Sequence, residues 1–167
     1  AIEAINKGFT KYTPSTGTVE LREAIAQKFL KDNSLKYSAN QIVVACGAKH
    51  ALYDIISILV DDEDEVIFQS PYWVSYPEMV KAAGGKSVII PTTAQSGFKF
   101  TAKDIEKHIT PKTKVLILNS PSNPTGVMYT KNELQAIADV CVKHKIYVVS
   151  DEIYEKLVYD KKEFTSI

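Results

Sequence analysis

Apolar positions along this chain recur with two different periods, which predict two kinds of element. Apolar side chains at three- and four-residue steps predict amphipathic helices over residues 19–33, 48–60, 76–83, 101–108 and 130–144. Short apolar or β-branched runs between these segments predict strands over residues 41–46, 65–69, 87–90, 114–118 and 146–149. Thr18 and Thr101 stand at helix starts, where a hydroxyl can cap free backbone N–H groups.

The order of these elements predicts the fold class. Short apolar strands that alternate with helices are typical of a parallel sheet that is covered on both faces. We therefore expect an α/β fold with three layers, α/β/α, and a mostly parallel sheet. The 167 residues suffice for one core of good size, and we expect residues 1–167 to form a single partial domain. Functional side chains of such a fold lie at the carboxyl ends of the strands.

Charge gives no support to a nucleic-acid or membrane partner. Lysine plus arginine number 20 and aspartate plus glutamate 20, so the formal net charge is zero. No apolar run approaches the length of a membrane span, and the sequence does not begin like a signal peptide. We expect a cytoplasmic protein that binds neither nucleic acid nor membrane.

Cysteine and arginine are scarce, which narrows the candidate chemistry. Cys46 and Cys141 lie far apart within apolar segments, so we expect two buried thiols and no metal site. Arg22 is the only arginine. A phosphate site in this chain must therefore use backbone amides, hydroxyls and lysine.

The first two predicted strands end in candidate binding residues. Gly47, Ala48 and Lys49 lead from a strand into a helix, where free amides and the helix dipole favour an anion. Gly47 is equally compatible with a turn that needs glycine only for its geometry. Trp73, the only tryptophan, follows the second strand and can stack on a planar heteroaromatic ring or pack in the core.

The two later strand ends carry amides and an acid. Residues 119–126 contain two prolines and a glycine, which predict a rigid turn with a cis Asn123–Pro124 bond and a second candidate at Ser120–Pro121. Asp151 ends the last strand, where a buried carboxylate needs a partner such as a protonated pyridine nitrogen. Tyr154 follows three residues later. A helix cap at Asp151 with Tyr154 in the core is the alternative.

Taken together, these segments resemble the class I and II aminotransferases of the fold-type I pyridoxal-phosphate family. The resemblance runs from Lys11 to about Tyr159 and rests on five motifs in the family's order: Tyr12-Thr13-Pro14-Ser15-Thr16-Gly17 with Glu20-Leu21-Arg22, Gly47-Ala48-Lys49, Pro71-Tyr72-Trp73, Asn123-Pro124-Thr125-Gly126 and Asp151-Glu152-Ile153-Tyr154. The run over residues 70–79 is most similar to the bacterial-type aspartate aminotransferase subgroup. The resemblance implies the large, cofactor-binding domain of such an enzyme.

The resemblance implies a phosphate site shared between subunits. Gly47, Ala48 and Lys49 would meet the phosphate of pyridoxal 5'-phosphate at the start of a helix. Tyr12 matches the tyrosine that reaches the phosphate of the neighbouring subunit. A homodimer with shared active sites is therefore expected.

The remaining cofactor-binding residues would hold the pyridine ring. By resemblance, Trp73 would stack on the ring, and Asn123 and Tyr154 would hydrogen-bond its phenolic oxygen. Asp151 would pair with the ring nitrogen and make the ring an electron sink.

The substrates implied are an amino acid, with aspartate favoured, and a 2-oxo acid, with 2-oxoglutarate favoured. Lys49, Trp73 and Asn123 would also border the substrate, and Lys49 matches the subgroup's lysine for the distal carboxylate. An exposed lysine at a helix start is the alternative for Lys49.

The resemblance also implies what this stretch lacks. The family's Schiff-base lysine lies beyond Ile167, so no catalytic residue is assigned here, and the arginine for the substrate's α-carboxylate lies further on. We expect a piece of a longer protein, inactive by itself, without the N-terminal arm and the small domain.

Two other functions are compatible with this fold. A pyridoxal-phosphate-dependent lyase would use the same ring-holding residues. An aminotransferase-like sensor domain of a transcription regulator would have a related fold without the reaction.

Overall fold

The computed structural model describes residues 1–167, which form two compact units, residues 1–47 and 48–167. The first unit is helical and irregular, whereas the second contains a sheet with helices on both faces. That both units belong to one partial domain stays a prediction.

The first unit contains two helices and a 3₁₀ turn. Helix α1 covers Ile2–Asn6, α2 covers Val19–Asn33 and the turn covers Ala39–Gln41. The predicted bounds of α2 are confirmed, and its cap forms as expected, because the Leu21 N–H donates to Thr18 Oγ1 at 3.4 Å. The apolar periodicity does not predict α1, since five residues make little more than one turn.

The predicted strand over residues 41–46 is wrong. Gln41 ends the 3₁₀ turn, and the backbone is extended at Ile42 but joins no strand ladder. The Val44 N–H instead donates to the carbonyl of Thr16 at 3.0 Å. β-Branched residues favour extended backbone, but a strand also needs a neighbouring strand to complete its hydrogen bonds.

The second unit is built on a four-stranded sheet in which every neighbouring pair is parallel. The spatial order is β2-β1-β3-β4, and the strands cover Glu65–Ser70 (β1), Lys86–Pro91 (β2), Thr113–Asn119 (β3) and Tyr147–Asp151 (β4). This confirms the predicted parallel sheet and four of the five predicted strands.

Four helices connect and cover the strands, close to their predicted positions: α3 over Ala48–Leu59, α4 over Ser75–Ala82, α5 over Ala102–His108 and α6 over Lys131–His144. Thr101 caps α5 as predicted, and Thr130 caps α6 in the same way. In each case a threonine and an acid three residues later satisfy each other's free backbone N–H groups.

The helices lie in two layers, because alternate strand residues point to opposite faces of the sheet. Phe68 and Ile117 face one way and are covered by α3 and α4. Ile67 and Leu116 face the other way and are covered by α5 and α6. These side chains are buried almost completely, which contributes about 1.5–3 kcal/mol each. The predicted three-layer α/β/α architecture is confirmed.

The strand order creates a switch point between β1 and β3. After β1 the chain adds β2 on one side and then returns to place β3 on the other side. Ligands of open parallel sheets bind outside the carboxyl ends of the strands at such a point. The segments that leave the sheet there are those after Ser70, Asn119 and Asp151.

The two cysteines differ in exposure. Cys141 is 2% exposed, as predicted. The prediction of a buried Cys46 is wrong, because this residue is exposed in a segment that belongs to no sheet. None of the helices has the length and apolar character needed to cross a membrane.

Candidate functional site

A cavity of about 210 Å³ lies at the carboxyl ends of the strands. Six of the predicted site residues line it: Ala48, Lys49, Trp73, Asn123, Asp151 and Tyr154. Pockets that enclose a small organic ligand usually measure about 300–1,000 Å³. These residues therefore form one side of a site rather than a complete enclosure.

Asp151 is the last residue of β4 and only 8% exposed. A buried carboxylate is costly unless donors surround it. The Tyr76 hydroxyl donates to Asp151 Oδ2 at 2.6 Å, and the Ile153 N–H donates to Oδ1 at 3.3 Å. Both donors are neutral, so the carboxylate can also pair with a cation that enters the cavity.

Tyr76 lies in the first turn of α4 and is 2% exposed. Its burial and then the nearby negative charge of Asp151 raise the pKa of the phenol far above its usual value. The hydroxyl therefore remains a neutral donor across the physiological pH range. The Tyr76 ring also makes an edge-to-face contact with the Trp73 ring, with centroids 5.6 Å apart and planes at 88°.

Asn119 ties the loop after β3 to the end of β4. It is the register partner of Asp151, and its Nδ2 donates to the Asp151 carbonyl at 2.9 Å. Its Oδ1 accepts from the Asn123 N–H at 2.6 Å. The side chain of Asn119 thus fixes where Asn123 begins the turn beside the cavity.

The predicted cis bonds at Ser120–Pro121 and Asn123–Pro124 are both confirmed. A third cis bond, Ser70–Pro71, lies at the end of β1 and was not predicted.

Lys49 and Trp73 contact each other at the mouth of the site. Lys49 Nζ lies 5.0 Å from the centre of the Trp73 ring, within cation–π range. Lys49 is exposed in the first turn of α3, and Trp73 is half-buried after β1. An ammonium group and an aromatic face are thus both available to a ligand in the cavity.

Two predicted residues, Tyr12 and Gly47, belong to the first unit. Tyr12 is fully exposed, with its side chain free of neighbouring cover. Gly47 immediately precedes Ala48 and has φ +88°, a left-handed conformation that favours glycine. The turn into α3 therefore requires glycine for its backbone conformation.

Sequence reasoning missed Tyr76 as a site residue, and it assigned no role to Asn119, the first amide of the predicted rigid turn. Each of the two residues carries a signal in the sequence. Asn119 is a polar residue at the end of an apolar strand. Tyr76 follows Trp73 by three residues, the spacing that brings side chains together as a helix begins. Neither signal identifies Asp151 as the partner without the strand register.

Comparison with known proteins decides the family. The family described as aminotransferase class I and II matches residues 1–167, the full length of the chain. The chain belongs to this family. An aspartate aminotransferase of Bacillus subtilis (strain 168) is 53% identical over 167 residues, which are 100% of this chain and 42% of that protein.

Solved structures of aminotransferases superpose closely on the chain. The aspartate aminotransferase from Thermus thermophilus with maleate matches with a TM-score of 0.94 and 46% identity, over 98% of this chain and 43% of that one. The aromatic aminotransferase from Pyrococcus horikoshii OT3 matches with a TM-score of 0.95 and 42% identity, over 99% and 44%. The chain thus spans less than half the length of its aminotransferase relatives.

Proposed function

We propose that the whole protein is a pyridoxal-phosphate-dependent aminotransferase that moves an amino group from aspartate to 2-oxoglutarate. The observation that carries this proposal is the shared cavity of Trp73, Asn123, Asp151 and Tyr154 at the carboxyl ends of parallel strands. The relatives named above are aminotransferases, which favours this reaction over a lyase or a regulator's sensor domain.

The side chains around the cavity fit the cofactor's ring by chemistry. Asp151 offers a carboxylate for the protonated pyridine nitrogen, and Trp73 offers an indole face for the ring. Asn123 and Tyr154 offer an amide and a phenol for the ring's phenolic oxygen. When bound, the cofactor would supply an electron sink for the substrate's α-carbon. Asp151 would serve that chemistry by keeping the nitrogen's proton in place.

Gly47, Ala48 and Lys49 would hold the cofactor's phosphate at the start of α3. This helix covers twelve residues, and its first N–H groups and its dipole favour an anion.

Tyr12 would bind the phosphate of a neighbouring subunit, so a homodimer is part of the proposal. Light scattering of the whole protein tests that state, and a monomer that binds cofactor fully would contradict it. A cytoplasmic location is proposed as well.

Lys49 would receive the distal carboxylate of an acidic substrate, with Trp73 and Asn123 beside it. Its ammonium group borders the cavity and lies over the indole of Trp73. The Thermus thermophilus relative was solved with maleate, a four-carbon dicarboxylate, which supports an acidic substrate.

An amino-transfer assay of the whole protein tests the reaction. With aspartate and 2-oxoglutarate we expect oxaloacetate and glutamate to form together, and only when pyridoxal phosphate is present. Release of ammonia and pyruvate from a cysteine-type substrate, without amino transfer, would show a lyase instead. Absence of both reactions would contradict the proposal.

Lys49→Met tests the acidic-substrate role separately. We expect the KM for aspartate to rise about fivefold, because an exposed charge pair near a binding site contributes on the order of 1 kcal/mol. The KM for an amino acid without a second carboxylate should stay within about twofold. Lys81→Met, on the exposed end of α4, is the matched control and should change neither constant.

A further inference from the structure

We propose that Tyr76 is a positioning residue that holds the Asp151 carboxylate and the Trp73 ring in a fixed relation to each other. This inference rests on the proposed function, because it concerns how the cavity presents Asp151 and Trp73 to the pyridine ring. Tyr76 itself would not touch the reacting atoms.

The hydrogen bonds of Asp151 are unequal. The Tyr76 hydroxyl lies 2.6 Å from Oδ2, whereas the Ile153 N–H lies 3.3 Å from Oδ1. A short bond to a charged acceptor is the stronger kind, and a bond at 3.3 Å is near the limit for an amide. Tyr76 therefore determines the rotation of the carboxylate about its side-chain bonds more than Ile153 does.

Tyr76 can impose that orientation because its own position is fixed. The residue is 2% exposed, and its ring packs against Phe68 of β1 with centroids 5.9 Å apart. Phe68 is itself 1% exposed in the core between the sheet and the helices α3 and α4. A donor anchored in a closely packed core moves little, so the acceptor adopts its direction.

The same side chain also meets Trp73. The two rings stand at 88° with centroids 5.6 Å apart, an edge-to-face contact. One residue thus touches both the indole proposed to stack on the ring and the acid proposed to face the ring nitrogen. The relation between these two groups is set by Tyr76.

Loss of the Tyr76 hydroxyl should lower the protonated fraction of the ring nitrogen. A carboxylate that rotates freely pairs less well with the protonated nitrogen. A carboxylate with one donor fewer also competes more strongly for that proton. Both effects move the ring nitrogen toward its neutral form.

The test uses the whole protein loaded with pyridoxal phosphate that carries ¹⁵N in the ring. In Tyr76→Phe we expect the ¹⁵N resonance to move toward the value of a neutral pyridine. Tyr129→Phe is the matched control, because it removes another buried phenolic hydroxyl, 3% exposed, that bonds to Gln69 rather than to Asp151. Its ¹⁵N resonance should coincide with that of the unsubstituted protein.

A double-mutant cycle on cofactor affinity provides a second measurement. We expect Tyr76→Phe to raise the Kd of pyridoxal phosphate about fivefold, because binding must then also order the Asp151 carboxylate that the hydroxyl no longer holds. In the Asp151→Asn background the same substitution should change the Kd by less than about twofold, because the charge that the hydroxyl orients toward the ring nitrogen is gone.

The possible outcomes separate the two proposals. An unchanged ¹⁵N resonance in Tyr76→Phe, or equal effects in both backgrounds of the cycle, would overturn the role of Tyr76 alone. An unsubstituted whole protein that binds no pyridoxal phosphate would overturn the proposed function and this inference together.

Discussion

Two buried tyrosines make the same kind of hydrogen bond in different surroundings. Tyr76 lies in the core on the α3 and α4 side of the sheet and donates to the carboxylate of Asp151 at 2.6 Å. Tyr129 lies in the core on the α5 and α6 side and donates to the amide oxygen of Gln69 at 2.5 Å. Burial raises the pKa of both phenols above the usual range, so both act as neutral donors.

The partners of the two hydroxyls differ in charge and in access. The Tyr129 hydroxyl also accepts the Phe100 N–H, and Gln69 Nε2 donates to the Phe98 carbonyl, so that network is closed by protein groups. Asp151 borders the cavity. A closed network of neutral groups holds a fold together, whereas a charged group at a cavity can also serve a ligand.

The largest predicted effect is on activity and comes from Asp151→Asn. In the whole protein we expect the rate of amino transfer to fall about 10²–10³-fold, because a preorganised charge opposite the ring nitrogen is lost. Steady-state kinetics measure the change. Asp139→Asn, on the exposed surface of α6, is the control and should leave the rate within about twofold. Equal rates for both variants would mean that Asp151 only ends a strand.

The next prediction concerns the free energy of unfolding, to which Tyr129 should contribute more than Tyr76. Without cofactor, we expect Tyr129→Phe to lower the free energy of unfolding by about 1–3 kcal/mol, because the buried Gln69 oxygen and Phe100 N–H lose their partner. Tyr76→Phe should cost less, since water can reach Asp151 from the cavity. Urea unfolding monitored by circular dichroism gives both values. A larger loss for Tyr76→Phe would make its role mainly structural.

A smaller effect is expected at the start of α6, directly after Tyr129. Thr130→Ala removes the hydroxyl that accepts the Glu133 N–H, and it leaves Glu133 without one of its bonds. We expect the free energy of unfolding to fall by about 1 kcal/mol with no change in cofactor affinity. Urea unfolding and a cofactor titration test this, and weakened cofactor binding would show that the Tyr129 side also shapes the site.

The last predicted effect comes from Cys141 and is confined to alkaline solution. Burial raises the pKa of its thiol from 9.0 to about 11. The unfolded chain therefore loses this proton first as the pH rises, so stability should fall between pH 9.0 and about 11. Cys141→Ala should remove about 1 kcal/mol per pH unit from that slope. Denaturant midpoints across this range measure it, and an identical slope in both proteins would mean that water enters this core.

Much of the fold could be predicted from the sequence where local pattern and packing agree. The helices of the second unit bury the faces that their apolar periodicity indicates, as Leu134, Ile137 and Cys141 do in α6. The segment 41–46 failed because strand propensity does not supply a pairing partner. A β-branched run such as residues 41–46 has the same sequence pattern whether or not another strand lies beside it.

The residues of the candidate site also differ in whether the sequence predicts them. Trp73, Asn123 and Asp151 could be predicted because each follows a strand whose end is visible in the sequence. Tyr76 could not, because its importance depends on contact with Asp151, 75 positions away along the chain. Such a contact follows from strand order and register, which periodicity does not encode.

Whether Asp151 faces the ring nitrogen can be measured directly by comparing two ligands of the whole protein. One is pyridoxal phosphate, and the other is its analogue with carbon in place of the ring nitrogen. We predict that the unsubstituted protein binds pyridoxal phosphate at least about tenfold more tightly, because the analogue leaves a buried carboxylate without its cation. Asp151→Asn should lose most of this preference. Equal Kd values for both ligands in the unsubstituted protein would contradict the assignment of Asp151.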